Sequence, residues 1–521
     1  MLVYKQLLIS WCFGLVVAMA PISVLAQEMR EVIIAPDSVG ILNNVINSDT
    51  LDGGERIPNT VYLLKRNSIY KITGEIQNPG FHLRIKAESA SGSMPIIQPT
   101  APSGGESQEP FSILGDFTME GVYVTSVDDF GRYLQRMIRI RGDSLSIRLN
   151  NCWFDGTGQS IVRVDNVAAK IYMSDCIVSN VGRTNIPNNG RVIDSRVSID
   201  SLLLIDNTFY NVTSRIFRLS DGRVARYAFF DHNTFVNTAQ RSLGVDNTIE
   251  LQITNNIFYN NGFLGTTRSS ELIELENMSE KLQEVLTSLG VEQSADIRNN
   301  LFYTSPDILE VWADSIDYMP KYTLDLFEVT NQDSSTLVDD LTFDFPIEFK
   351  NAPVVPRSVI TGMIFDQLFA ENIDNGQAPA WNLTMSPFIQ ILDNSLSLPW
   401  SFPYDFSYGL DQPAATAATD GGQLGDRNWP LQDIDVVLDN TPSLSKKISA
   451  YPNPAYDILT LQIATSTPIE NLYMMDLMGR KYPVTFIDKN SIDLSTLPSG
   501  LLLLIIQEKN RKESRLKIMK R

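Results

Sequence analysis

One short pattern recurs along the middle of this chain: alternating apolar residues, then Asn or Asp, any residue, and a large apolar residue. It appears as Ile147-Arg148-Leu149-Asn150-Asn151-Cys152-Trp153 and as Ile171-Tyr172-Met173-Ser174-Asp175-Cys176-Ile177. It returns as Leu203-Leu204-Ile205-Asp206-Asn207-Thr208-Phe209 and Phe230-Asp231-His232-Asn233-Thr234-Phe235. Ile253-Thr254-Asn255-Asn256-Ile257-Phe258 and Ile297-Arg298-Asn299-Asn300-Leu301-Phe302 complete the set, and Phe117 to Tyr123 is an earlier, degenerate copy. Anchored on Asn151, Asp175, Asn207, Asn233, Asn256 and Asn300, the copies step by 24, 32, 26, 23 and 44 residues. The longest step holds Ser269 to Ser288, whose Leu and Glu spacing predicts a helical insertion.

Period-2 segments returning at such intervals, with turns between them, predict a solenoid of strands in which each coil buries its apolar positions against the next. The anchor column then has a physical role. Asn tolerates the left-handed backbone of a tight turn, and its amide can bond the Asn one coil above. A second polar column is expected at Asp155, Ser179, Asn211, Asn237, Asn260 and Thr304. The rings of Trp153, Phe209, Phe235, Phe258 and Phe302 are expected to stack inside. The reading is all-β: a right-handed parallel β-helix within residues 27–430, with an N-terminal cap and irregular C-terminal coils. Val61 to Leu64 and Tyr70 to Gly74 look like its first coils. Helical pieces are expected near Val359 to Ala370, and loop from Ser397 to Tyr404.

These coils resemble the pectate-lyase-like β-helices, and more closely secreted Bacteroidota β-helix proteins known as domains of unknown function. The stretch Ala417 to Trp429 contains Gly425-Asp426-Arg427-Asn428-Trp429, which resembles the Gly-Asp-x-x-Trp ending of those proteins. The resemblance implies the fold and leaves the activity open.

The ends of the chain read differently. Met1 to Ala26 has a positive Lys5, an apolar stretch from Leu7 to Met19, and small residues before a cut between Ala26 and Gln27. That is the pattern of a secretory signal. No later apolar run has membrane-spanning length. Residues 431–447 read as a linker, and 448–521 as a small antiparallel sandwich of several short strands. Charge divides along the same line: residues 27–440 carry a net −25 and residues 441–521 a net +5.

The C-terminal unit resembles the type A sorting domain of the type IX (Por) secretion system. The matching residues are Pro452, Asn453 and Pro454, the turn of Asp476, Gly479 and Arg480, the segment holding Asp493, Pro498 and Gly500, and the basic tail Lys517 to Arg521. Leu501-Leu502 departs mildly from the Ile-Tyr that often follows the Gly. The resemblance implies export by the type IX machinery to the outside, or the outer-membrane surface, of a Gram-negative bacterium.

The overall formal charge of −19 excludes a generic nucleic-acid binder, which needs clustered Lys and Arg. Only His82 and His232 are present, which leaves little material for His-rich metal sites or a Ser-His-Asp triad. In another strand of the coils, Arg139, Arg163 and Arg218 occupy one repeated position, and Asp143, Asp165, Asp194, Asp221, Asp246 and Glu276 close the same strands. Arginines stacked at strand spacing repel unless anions neutralise them. The anions could belong to a glycan held by Arg139, Arg163, Arg218, Asp165 and Asp221, or the neighbouring acidic column could close a structural ladder.

Pectate-lyase-like enzymes use an Arg or Lys base, often with Ca²⁺, so lyase or glycosidase activity is a further alternative; a non-catalytic adhesin or stalk is another. Asp231-His232 resembles an Asp-His pair of pectate lyases but occupies ordinary repeat positions. No cofactor is evident, and a Ca²⁺ site built across coils would leave no local motif. Gly142-Asp143-Ser144-Leu145 and Arg141-Gly142-Asp143 spell known motifs inside an inter-coil turn, and both read as coincidences. Cys152 and Cys176 stack one coil apart, as core thiols or, awkwardly, as a disulfide. An acidic body disfavours bare pectate and favours neutral glycan or Ca²⁺-bridged uronate.

Overall fold

In a computed structural model, the chain forms two compact units, residues 1–434 and 435–521. The structure describes residues 29–311, 337–360, 402–432 and 448–520, apart from 102–104, 184–186, 221, 246, 265–271, 275–279, 292, 339–341, 344, 356, 358 and 403 in the first unit. In the second unit 452–457, 464–468, 477–479, 485, 488–490, 499 and 509–512 are likewise outside the description. The expected signal with its Ala26–Gln27 cut, the linker from residue 433 on and the helical pieces after residue 360 lie outside the described residues.

The first unit is a parallel β-helix. Among the described residues, its coils contribute strands to three parallel sheets of 11, 10 and 8 strands, which we call the first, second and third. One coil runs Ser146–Asn150, Trp153–Thr157 and Ser160–Val164; the next begins at Lys170–Ser174 and pairs in register with the first. Alternation in the sequence sets the inward face. Ile147, Ile171, Leu202, Ala228 and Leu251 form one buried column, and Leu149, Met173, Leu204, Phe230 and Ile253 the next. Each side chain packs on its counterpart one rung away, roughly 4.8 Å along the axis. The N-terminal end is sealed by helix Ile41–Ser48, which buries Leu42 and Ile46 against the first coils. Thr60–Leu64 and Ile69–Ile72 are strands where early coils were expected, and the insertion contains helix Glu280–Ser288. No helix among the described residues is long and apolar enough to cross a membrane.

The expected Asn column proves to be two columns, offset by one residue. The corner between first and second sheets is turned by Asn151, Asp175, Asp206, His232, Asn255 and Asn299, with φ between 47° and 59°. The residues after them face inward: Cys152, Cys176, Asn207, Asn233, Asn256 and Asn300, all buried. Asn207 Nδ2 donates to Asn233 Oδ1, Asn233 Nδ2 to Asn256 Oδ1, and Asn256 Nδ2 to Asn300 Oδ1, at 2.9–3.0 Å. Each Oδ1 also accepts the backbone N–H of the preceding coil's Asn. One residue cannot both adopt the left-handed corner and point into the core, so adjacent residues divide the two tasks.

The same shift corrects the other columns. Asp155 and Ser179 stand in register with Tyr210 and Val236, while Gly156, Asn180, Asn211, Asn237 and Asn260 turn the second corner. Phe154 continues the inner stack through Val178 to Phe209 and Phe235, whose rings lie 5.2 Å apart. Trp153 faces outward, 4.8 Å from Phe402.

Residues 402–432 cover the outer face of the second sheet. Phe402 meets Trp153 and Trp429, while Phe406 packs on Tyr210. From Ala417 to Trp429 the chain runs as a strap along the left-handed corner. Asn299 Nδ2 donates to the Ala417 carbonyl, the Thr419 N–H to Asn255 Oδ1, and the Gly425 N–H to the Asn255 carbonyl. Arg427 forks onto Asp206 at 2.6 and 2.7 Å, and Asn428 Nδ2 reaches Asp175 Oδ1 at 3.1 Å.

The described residues of the second unit form antiparallel sheets of three and four strands around Leu459, Leu461, Met474, Ile492, Leu502, Leu504 and Ile506.

Candidate anion-binding face

The outer face of the third sheet carries the repeated arginines. Arg136, Ser160, Arg191 and Arg215 stand in one register column, and Arg139, Arg163, Asp194 and Arg218 in the next. The columns lie three residues apart rather than two because two consecutive residues between them, such as Met137 and Ile138, are both buried. An outward position therefore recurs as Arg-x-x-Arg or Arg-x-x-Asp, a spacing that strict alternation overlooks.

Two carboxylates join the arginines. Asp165 accepts from Arg139 Nε at 2.5 Å and from Arg163 Nε at 2.9 Å. Despite partial burial, these two guanidiniums hold its carboxyl below the usual range, and the Asp165 bond raises Arg139 in turn. Asp194 is fully buried and faces four cations: Arg163 at 3.1 Å, Arg196 at 3.2 Å, Arg218 at 3.4 Å and Arg191 at 3.7 Å. Arg136 reaches Glu109 at 3.0 Å. Of the residues singled out from sequence, Arg139, Arg163, Arg218 and Asp165 thus share one face, whereas Asp221 lies outside the described residues. Asp194 takes a place in the arginine column itself and joins Arg163 to Arg218. The three-residue spacing adds Arg136, Arg191 and Arg215 to the residues expected from sequence, and Arg196, two residues after Asp194, joins them only through the fold.

The remaining candidates have structural tasks. Asp143 accepts the Val167 N–H and an Asn166 amide bond, closing the turn that spells the two short motifs. His232 turns a corner and meets the Gly425 carbonyl through Nδ1. Cys152 and Cys176 are free thiols, and Cys176 Sγ accepts the Cys152 N–H at 3.4 Å, as Asn Oδ1 does in the other coils. Asp155 is buried under the aromatic cover, and that burial pushes its carboxyl upward; Tyr123, Ser179 and Asn180 all donate to it. Among the described residues, no three His, Cys, Asp or Glu side chains converge as a metal-binding group.

In the second unit, Asp493 Oδ1 accepts the Ser495 N–H and Gly500 opens a long strand. Residues 449–521 match the family described as "Secretion system C-terminal sorting domain". The second unit is that sorting domain. Its type IX character implies export by that secretion system, and hence a secreted or cell-surface protein. No curated protein matches the chain. Pro452, Asn453, Pro454 and Gly479 of the sorting motif lie outside the described residues.

Proposed function

We propose that this protein is a polysaccharide-binding β-helix, brought by its sorting domain to the outer-membrane surface of a Gram-negative cell or released from it. A signal cut between Ala26 and Gln27 would start that route, and the glycan would lie along the third sheet. The observation that supports this most directly is Asp194, a single carboxylate facing Arg163, Arg191, Arg196 and Arg218 on a body that is otherwise strongly acidic. Planar guanidinium forks suit carboxylates and other paired oxygen acceptors, and rungs at roughly 4.8 Å repeat those donors along an extended polymer.

The test is affinity electrophoresis of the protein against neutral polysaccharides and polyuronates, with and without Ca²⁺, while unsaturated products are followed by ultraviolet absorbance. Retardation that disappears in Arg139→Ala/Arg163→Ala supports binding on this face. Product release would replace the binding reading with a lyase. Absence of retardation by every polymer would leave a structural stalk.

A further inference from the structure

Charge balance on the third sheet fails most clearly at Arg191. The residue is only 9% exposed, and its Nε and Nη1 have no hydrogen-bond partner. Asp194, 3.7 Å from Nη1, already accepts from Arg163, Arg196 and Arg218. Burial first, then the charges of Arg218, Arg196 and Arg215, pull the Arg191 guanidinium down to about 10 against the opposing pull of Asp194. One coil below in register is Ser160, whose buried hydroxyl also lacks a partner; one coil above is Arg215. Arg196 and Arg218, with side chains 38% and 19% exposed, form the outer rim.

A buried guanidinium without an acceptor costs several kcal/mol in general, and crowding by like charges adds to that cost. We infer that Arg191, Arg215, Arg218 and Ser160 form a site for a tetrahedral oxyanion of the sulfate class, as a free ion or as a sulfate ester on a polysaccharide. A carboxylate presents its acceptor sites in one plane, and a single bidentate guanidinium matches that plane. Donors arriving from three successive coils instead suit a compact group whose oxygens diverge. The ester form rests on the third sheet being the polysaccharide face; the free-ion form does not.

The test uses the full mature chain and sodium sulfate as probe, with sodium chloride at matched ionic strength as reference. Sulfate should raise the melting midpoint more than chloride, and calorimetry should give a saturable site. Arg191→Met should weaken sulfate at least about tenfold, the loss expected from one charged hydrogen bond. Arg215→Gln, one coil above Arg191 in the same column, should weaken it in the same direction and covers the case in which Arg191→Met does not fold. Equal responses to sulfate and chloride would overturn the inference, as would unchanged sulfate affinity in folded Arg191→Met or in Arg215→Gln. Dextran sulfate, compared with dextran, separates the two sources. Selective retardation that free sulfate competes away assigns the ester; saturable sulfate binding without retardation assigns the free ion. Loss of glycan retardation in Arg139→Ala/Arg163→Ala with sulfate binding intact supports the site independently of the ester source.

Discussion

The carboxylate of Asp426 accepts a 2.7 Å hydrogen bond from the Thr208 hydroxyl, joining the strap to a coil laid down 218 positions earlier. The same Thr208 oxygen receives the indole N–H of Trp429, and the Asp426 N–H bonds Thr234 Oγ1 one coil on. The Gly-Asp-x-x-Trp segment is thus a fastening read by two threonines of the second sheet.

Burial first, with help from Asp206, pushes the Asp426 carboxyl up from 3.8 to about 7, against hydrogen bonds from Thr208 and Asn428. Among the described residues, Asp175, Asp206, Asp231, His232, Asp420 and Arg427 are titratable or charged groups around this part of the strap. A carboxyl raised on folding favours the docked state while protonated, so docking should weaken as pH rises from about 4 through about 7. Hydrogen exchange at the Gly425 and Asp426 amides should be slower on the acid side, after correction for intrinsic rates, and Asp426→Asn should flatten the trend. Faster corrected exchange in acid would refute this account.

Replacing Asn233 by Ala removes the bond to Asn256 and the bond to the Leu204 carbonyl, and strands the buried N–H groups of Asn207. Orphaned buried groups cost about 1–3 kcal/mol each, so Asn233→Ala should lose roughly 3 kcal/mol in urea denaturation. A loss below about 1 kcal/mol would mean the ladder relaxes around the gap.

Asp194→Asn keeps the shape of the side chain and deletes the charge that four arginines share. Removing one partner of a buried ion cluster costs about 3–5 kcal/mol, and added salt should restore part of it by screening the remaining cations. Thermal melts at low and high salt measure both effects. A salt-independent loss would assign the cost to packing instead.

Deletion of residues 448–521 should leave the protein in the periplasm, since those residues contain the matched sorting segment. Cell fractionation of the truncated and full chains decides this: a truncated chain found outside would remove the sorting role.

The coils and the sorting domain were legible because their signals are local: alternation, turn residues and short motifs. The register within the corner was not. Asp206-Asn207, Asn255-Asn256 and Asn299-Asn300 place two turn-forming residues side by side, and only coil-to-coil pairing separates the left-handed member from the inward one. Arg139 and Arg163 are visible as a column, but the place of Asp194 between Arg163 and Arg218 is not, because those two partners come from coils 31 and 24 positions away. The strap was seen as a motif and not as a fastening, since nothing near Asp426 in sequence points to Thr208.

The strap also changes how the coils come to be made. A solenoid with contacts only between adjacent coils can assemble from any point and open from either end. Here Asn428 touches Asp175 across 253 positions, and Arg427 touches Asp206 across 221. Such distant pairings form late, because the chain between must first be ordered. The strap reaches from the coil of Asp175 to that of Asn299, so it can close only once those coils are stacked, and its docking then holds that run of coils against fraying one at a time.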